Sequence, residues 1–244
     1  MDWSKAKNVM IVALLLTNIF LIYACVEKYH EKTTVTDSSG FISALSQHGI
    51  ELEAEIPEER GRLPVLSLSY SEPGSTMREV LRNSDFGVVS GSEKDLKVYE
   101  NVANRFMEEM GFSMTDFFCG TVQKSEEVTK VPYFPTYGGY SIYTKPLEVV
   151  FKNGKITGLE GKVAIGVPAS KRRVSVISPE KALLIFMSEE AKNNKKTVIK
   201  DIELVFWANN ENVDENELVL DTAFPAWRIT YDDEKIRYIE ANRV

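Results

Sequence analysis

Apolar and polar positions divide this chain into one uninterrupted apolar run and a long mixed remainder. Residues 8–26 (NVMIVALLLTNIFLIYACV) carry no charge. At about 1.5 Å per residue they make a helix of about 29 Å, matched to a hydrocarbon core of about 30 Å. The pattern predicts a single transmembrane helix. Lys5 and Lys7 precede it. The excess of positive charge on that side places residues 1–7 in the cytoplasm and everything from about residue 27 outside the membrane.

Beyond the run, residues 27–40 are polar and read as a juxtamembrane linker. A short helix is expected over 41–48, stopped by Gly49. Residues 50–56 (IELEAEI) and 63–70 (LPVLSLSY) alternate as strands do. A short helix follows at 77–81, and a stronger one at 93–110. Ser92 and Asp95 form a capping box there, and Gly111 is a natural stop. Its inward face is Tyr99, Val102, Ala103, Phe106, Met107 and Met110. Residues 121–128 suggest another strand.

Residues 131–143 (VPYFPTYGGYSIY) combine proline, glycine and aromatics. They read as a packed connection between lobes or as a partner-binding surface carrying Tyr133, Phe134, Tyr137, Tyr140 and Tyr143. Residues 147–152 and 155–165 flank Asn153-Gly154, the preferred two-residue hairpin turn. Lys171-Arg172-Arg173 reads as a solvated loop. Ser178-Pro179-Glu180 opens a helix with Ala182, Leu183, Phe186 and Met187 inward. A strand at 197–207, a polar loop at 209–217 and strands at 218–222, 226–231 and 235–241 close the chain, turning at 232–234. The expected class is α+β, with antiparallel sheets and helices packed on them, in two lobes at 41–130 and 131–244.

The 244 residues carry a net charge of −7. The first 26 hold only Asp2, Lys5 and Lys7, so the acidic excess lies in the remainder, which argues against nucleic acid as a partner. The cysteines are Cys25, at the edge of the run, and Cys119, expected as a small core residue; there is no disulfide framework and no CxxC spacing. A cleaved signal ending near Ala24 and Val26 is a rival to the anchor. So is a lipoprotein signal, since Ile22-Tyr23-Ala24-Cys25 partly matches a lipobox. Both rivals keep the domain outside.

The chain offers no specific catalytic constellation. Its histidines are His30 and His48, and it has no HExxH, P-loop or GxGxxG. Asn210, Asn212, Asp214 and Glu217 lack the glycine and distal glutamate of a calcium loop. No catalytic residue, cofactor or metal is expected. Along the anchor and the residues just before it, Ala6, Ala13, Thr17 and Ala24 fall within about 40° of one another on a helical wheel, a seam of small residues that lets membrane helices approach closely. Asn18 lies near the bilayer centre and seeks a polar partner. Ala13, Thr17 and Asn18 are the candidate intramembrane contacts; a passive anchor that tolerates one Thr and one Asn is the bland alternative.

The opening residues 1–8 (MDWSKAKN), Thr17-Asn18-Ile19-Phe20-Leu21 in the run, Phe224-Pro225-Ala226-Trp227-Arg228-Ile229 and Tyr238-Ile239-Glu240-Ala241 together resemble the YycI family. The resemblance implies a non-catalytic, single-pass membrane protein with an extracytoplasmic domain. It implies a regulator of the WalK (YycG) sensor histidine kinase, which controls cell-wall metabolism, contacted through membrane helices. It also implies a YycH-like partner for the outer domain. A different class remains open: a membrane-anchored or lipidated ligand-binding protein or hydrolase with a cleft between its lobes.

Overall fold

The computed structural model describes residues 14, 17–18, 38–57, 61–74, 77–83, 86–89, 96–190, 196–208 and 221–242. Most of the apolar run, the capping box at Ser92 and Asp95, and the polar loop at 209–217 lie outside the described residues. Among the described residues no helix is long and apolar enough to cross a membrane. The chain forms two units, 1–47 and 48–244. In the first, Leu14, Thr17 and Asn18 are helical and exposed, and α1 is Ser38–Gln47.

The second unit is built on one twelve-stranded sheet. Its elements are β1 (Ile50–Leu52), β2 (Arg62–Ser71), α2 (Met77–Asn83), α3 (Leu96–Glu109), β3 (Phe117–Cys119), β4 (Gln123–Lys124), β5 (Val128–Tyr137), β6 (Tyr140–Tyr143), β7 (Leu147–Lys152), β8 (Lys155–Glu160), β9 (Val163–Ser175), α4 (Pro179–Glu190), β10 (Thr197–Trp207), β11 (Asp221–Tyr231) and β12 (Lys235–Glu240). The strand order is β8-β7-β5-β6-β10-β11-β2-β9, with β3 and β4 on β5, β1 on β10 and β12 on β11. Among the described residues only β1–β10 and β6–β10 are parallel. The mixed α+β class with an antiparallel-dominated sheet is thus as expected.

The expected boundary at 130/131 falls inside β5, and two cores share the one sheet. The first packs the α3 stripe Tyr99, Ala103, Phe106 and Met107 on Val131, Tyr133, Val149 and Phe151. The second joins Leu66, Leu68, Ile142, Phe206 and Ala223. Residues 131–143 are part of the sheet, where β5 and β6 form a hairpin across Gly138 and Gly139, at φ 59° and 85°. The hairpin at Asn153-Gly154 forms as expected, with φ 50° and 74°. A Cβ on Gly154 would meet the Val89 carbonyl oxygen at 2.1 Å, so the turn needs glycine for close approach as well as for its dihedrals.

Other elements are redrawn by neighbours. The strand expected at 50–56 keeps only Ile50–Leu52, and that at 121–128 only Gln123–Lys124, while β3 was not anticipated. The strand expected over 155–165 breaks at Gly161 (φ 99°), and its second part crosses to pair with β2. Residues 221–222, the described part of the strand expected at 218–222, and the strand expected at 226–231 belong to one strand, β11. Pro225 interrupts the sequence pattern without interrupting the chain, because it stands where β11 changes neighbour from β2 to β12. Its carbonyl still accepts from the Ala241 N–H at 2.8 Å, and the Ala241 carbonyl, which a Pro225 N–H would have met, takes the Ile177 N–H instead. Ser178 caps α4 as read, its Oγ accepting from the Lys181 N–H at 3.3 Å.

Candidate functional site

The pleat of β10, β11 and β12 sorts their side chains between two faces. One face carries Ile202, Phe206, Trp227, Ile229 and Ile239, all buried. Here α4 supplies Phe186, whose ring meets Tyr231 edge-on at 5.1 Å, and the Trp227 indole N–H donates to the Ile177 carbonyl at 2.9 Å. The other face carries Asp201, Glu203 and Trp207 from β10, Arg228 from β11, and Ile236, Tyr238 and Glu240 from β12. Direct register places Glu203, Arg228 and Tyr238 side by side on successive strands.

That face is the floor of an open groove of about 1400 Å³. Phe118, Pro132, Phe134 and Tyr143, from β3, β5 and β6, also line it. Arg228 is the hub. Its Nη1 lies 2.5 Å from Glu203 Oε1 and 4.0 Å from Asp201 Oδ2, and its guanidinium sits 4.9 Å above the Tyr143 ring. The Tyr143 hydroxyl donates to the same Glu203 oxygen at 3.1 Å. Around it the rings are layered: Phe134 on Tyr143 at 5.0 Å, Tyr143 on Tyr238 at 5.9 Å, and Trp207 stacked on Tyr238 at 5.2 Å. Each ring is held by a neighbour from another strand, so the groove is preformed.

Burial pushes the Tyr143 hydroxyl well above the ordinary tyrosine range, Glu203 adds to this and Arg228 opposes it. Tyr238 is raised by burial against the opposing effect of Arg228. Burial works against the Arg228 charge, but Tyr143 and Glu203 outweigh it and the arginine is held above its ordinary value. Burial, and then Glu100, push the half-buried Cys119 thiol up to about 11, while Tyr133 works the other way. Every one of these shifts moves a group away from neutrality. The groove thus offers fixed shape, dipoles and a paired charge, and these shifted groups are not poised to exchange protons at neutral pH. Among the described residues no cluster of His, Cys, Asp or Glu is arranged to hold a metal ion.

The aromatic residues singled out in the sequence part company here. Tyr133 is 0 % exposed, and its hydroxyl donates to Asn104 Oδ1 at 2.6 Å. It ties α3 to the sheet and offers no surface, because its place on β5 faces the first core. Tyr137 and Tyr140 pack edge-on against Phe206 of the second core. Phe134 and Tyr143 alone reach the groove. Sequence reasoning missed Glu203, Arg228, Trp207 and Tyr238. The signal was faint: two acids at 201 and 203 alternating with apolar neighbours, and an arginine between buried Trp227 and Ile229, look like any solvated strand face. In the first unit Ala13 lies outside the described residues, and Asn18 Nδ2 donates to the Leu14 carbonyl at 2.9 Å.

Fold and groove together define a mixed α+β domain whose sheet is covered on one face by helices and furrowed on the other. The chain belongs to the YycI family: the model of the YycI protein family matches residues 30–242, nearly all of it. This is a family of regulatory proteins rather than enzymes, associated with the YycG/WalK two-component system. The comparison with curated proteins found no match.

Proposed function

We propose that this chain regulates a cell-wall-sensing histidine kinase of the WalK type without catalysing a reaction of its own. The family match over residues 30–242 carries this reading. Residues 8–26 cross the membrane with the N-terminus in the cytoplasm, and the sheet domain stands outside, where it meets a YycH-like partner. The membrane helix packs on the kinase helices through Ala13, Thr17 and Asn18. It shifts their signalling equilibrium only as far as its affinity differs between the two states. The bond from Asn18 to Leu14 uses one of the two amide hydrogens of the side chain. A primary amide has a second hydrogen and a carbonyl oxygen to offer a neighbouring helix.

The test is capture of membrane partners by the full-length protein, beside a version whose residues 8–26 are replaced by an unrelated membrane helix. The native chain recovers a sensor kinase and the replaced chain loses it. Equal recovery of the same partners by both overturns the intramembrane mechanism.

A further inference from the structure

A large open sheet has to protect its edges. β9, at one end of the strand order, is protected. Pro168 sits in it, and its register with β2 jumps between Pro168 and Arg173, so residues 169–172 bulge out with Ser170, Lys171 and Arg172 exposed. A proline, a bulge and a run of cations each deter another strand.

β12 has none of these. Its register with β11 is unbroken over six pairs, from Ala226↔Glu240 to Tyr231↔Lys235. The bond from the Ala241 N–H to the Pro225 carbonyl fixes which residues face β11. In an antiparallel ladder hydrogen-bonded pairs alternate, so Ile239, Arg237 and Lys235 bond to β11, while Ile236, Tyr238 and Glu240 turn N–H and C=O away from it. Among the described residues β12 pairs with no strand but β11. The side chains of Ile236, Tyr238 and Glu240 line the groove. An unpaired backbone edge therefore borders a furrow with room for side chains, the two things that strand addition requires.

We propose that an extended segment of a partner protein adds to the free edge of β12 as a further strand and lays its side chains in the groove. The lining states its chemistry. Ile236, 44 % exposed, and Phe118, 43 % exposed, call for apolar residues. Arg228 and Arg237 are held by Glu203 at 2.5 Å and Glu189 at 2.7 Å, whereas Asp201 stands 4.0 Å from Arg228 and Glu240 makes no ion pair among the described residues. With Lys145 counted, the lining holds Glu189, Asp201, Glu203 and Glu240 against three cations. The segment is therefore apolar and basic rather than acidic. This rests on the reading that the outer domain works by protein contact, and it names the edge that makes the contact.

The probe is a ~6-residue peptide of alternating valine and lysine, the usual length of a strand, added to the full-length protein in detergent micelles. An alternating valine–glutamate peptide is its counterpart. The valine–lysine peptide binds saturably and slows amide exchange at Ile236, Tyr238 and Glu240, while the ladder amides of Arg237 and Ile239 do not change. The acidic peptide binds at least about tenfold more weakly. Ile236→Pro removes one outward N–H at an edge position where proline is tolerated, and it weakens binding about tenfold. Ile236→Thr keeps that N–H and weakens binding less than about threefold. No saturable binding, unchanged affinity in Ile236→Pro, or no protection of the outward amides overturns the proposal. The exchange measurement on the unaltered chain stands even if Ile236→Pro fails to fold. Kinase capture reads the membrane helix and this measurement reads β12, so either can fail without the other.

Discussion

Two cross-strand charge clusters lie on this sheet, one on the strands that carry the first core and one on the floor of the groove. In the first, Lys130 of β5 reaches Glu148 of β7 and Glu160 of β8 at 2.8 Å each. In the second, Arg228 of β11 reaches Glu203 of β10 at 2.5 Å. By distance the clusters are alike, but their surroundings are not. Lys130 and Glu160 are 34 % and 57 % exposed, so water replaces either partner readily. Hydrogen bonds that Lys130 donates to Glu148 and Glu160 hold the lysine above its ordinary range, yet that preference is screened by solvent. The Arg228 side chain is 17 % exposed, its Nε is buried with no hydrogen-bond partner among the described residues, and its guanidinium carbon lies 4.9 Å over the Tyr143 ring. Removing Glu203 would leave that charge with little but Asp201 to face. A cation–carboxylate contact of similar length adds little in one place and is structural in the other, and the burial of the cation decides which.

The largest effect that would sharpen this contrast is that of Arg228→Ala. It strips the contact with the Tyr143 ring, the packing of the arginine stem and the charge that faces Glu203. Urea unfolding followed by tryptophan fluorescence should show a loss of about 2–4 kcal/mol. The joint change Arg228→Met with Glu203→Leu removes both charges and refills the space, and should lose less than Arg228→Ala alone. If the double variant is the weaker, the pair contributes net stability beyond sparing the fold an unpaired buried charge. Glu203→Gln keeps an acceptor for Arg228 and for the Tyr143 hydroxyl, so about 1–2 kcal/mol is expected by the same measurement.

How legible these clusters were differs as well. Local chemistry was legible: the Asn153-Gly154 turn, the Ser178 cap and the stripe of α3 all stand where the sequence put them, because each depends on residues within a few positions. The Arg228 cluster was not, since Tyr143, Glu203, Arg228 and Tyr238 come from four strands and meet only through register. Tyr133 shows the same limit in reverse. Its aromatic setting marked it as a surface candidate, and only the pairing of β5 reveals that it faces α3. Pro225 misled for another reason. Proline normally ends a strand, but here the lost N–H falls at the changeover of neighbours and the sheet absorbs it.

A smaller effect tests the wall of the groove against alkali. Burial, and then Glu100, raise the Cys119 thiol from an ordinary 9.0 to about 11. Below pH 9 the thiol is protonated in both states and contributes nothing to the pH dependence. Between pH 9 and 11 the unfolded chain releases its proton first, so stability falls as pH rises through that window. Because the residue is half-exposed, the share of Cys119 is about 1 kcal/mol. Tyr133, Tyr143 and Tyr238, also raised chiefly by burial, extend the same fall to higher pH. Unfolding measured at intervals of pH should show a shallower slope from 9 to 11 in Cys119→Ala. An unchanged slope would mean that the thiol is solvated in the folded protein.

The smallest expected effect matters most to the comparison. Lys130→Ala removes two ion pairs at once, and a tally of contacts would rank it above the loss of the single short pair at Arg228. Solvation ranks it below. Glu160, 57 % exposed, returns to water when the lysine goes, Glu148, 18 % exposed, less fully, and the lysine's rotamer entropy is no longer lost. The stability lost should be under about 1 kcal/mol and should shrink further in about 1 M salt. The Arg228→Ala loss should depend less on salt, since much of it is the packing of a guanidinium that is 17 % exposed and lies against the Tyr143 ring. A Lys130→Ala loss above about 2 kcal/mol, or one indifferent to salt, would show that the outer face of β5, β7 and β8 is not open to water. The distinction between the two clusters would then fall.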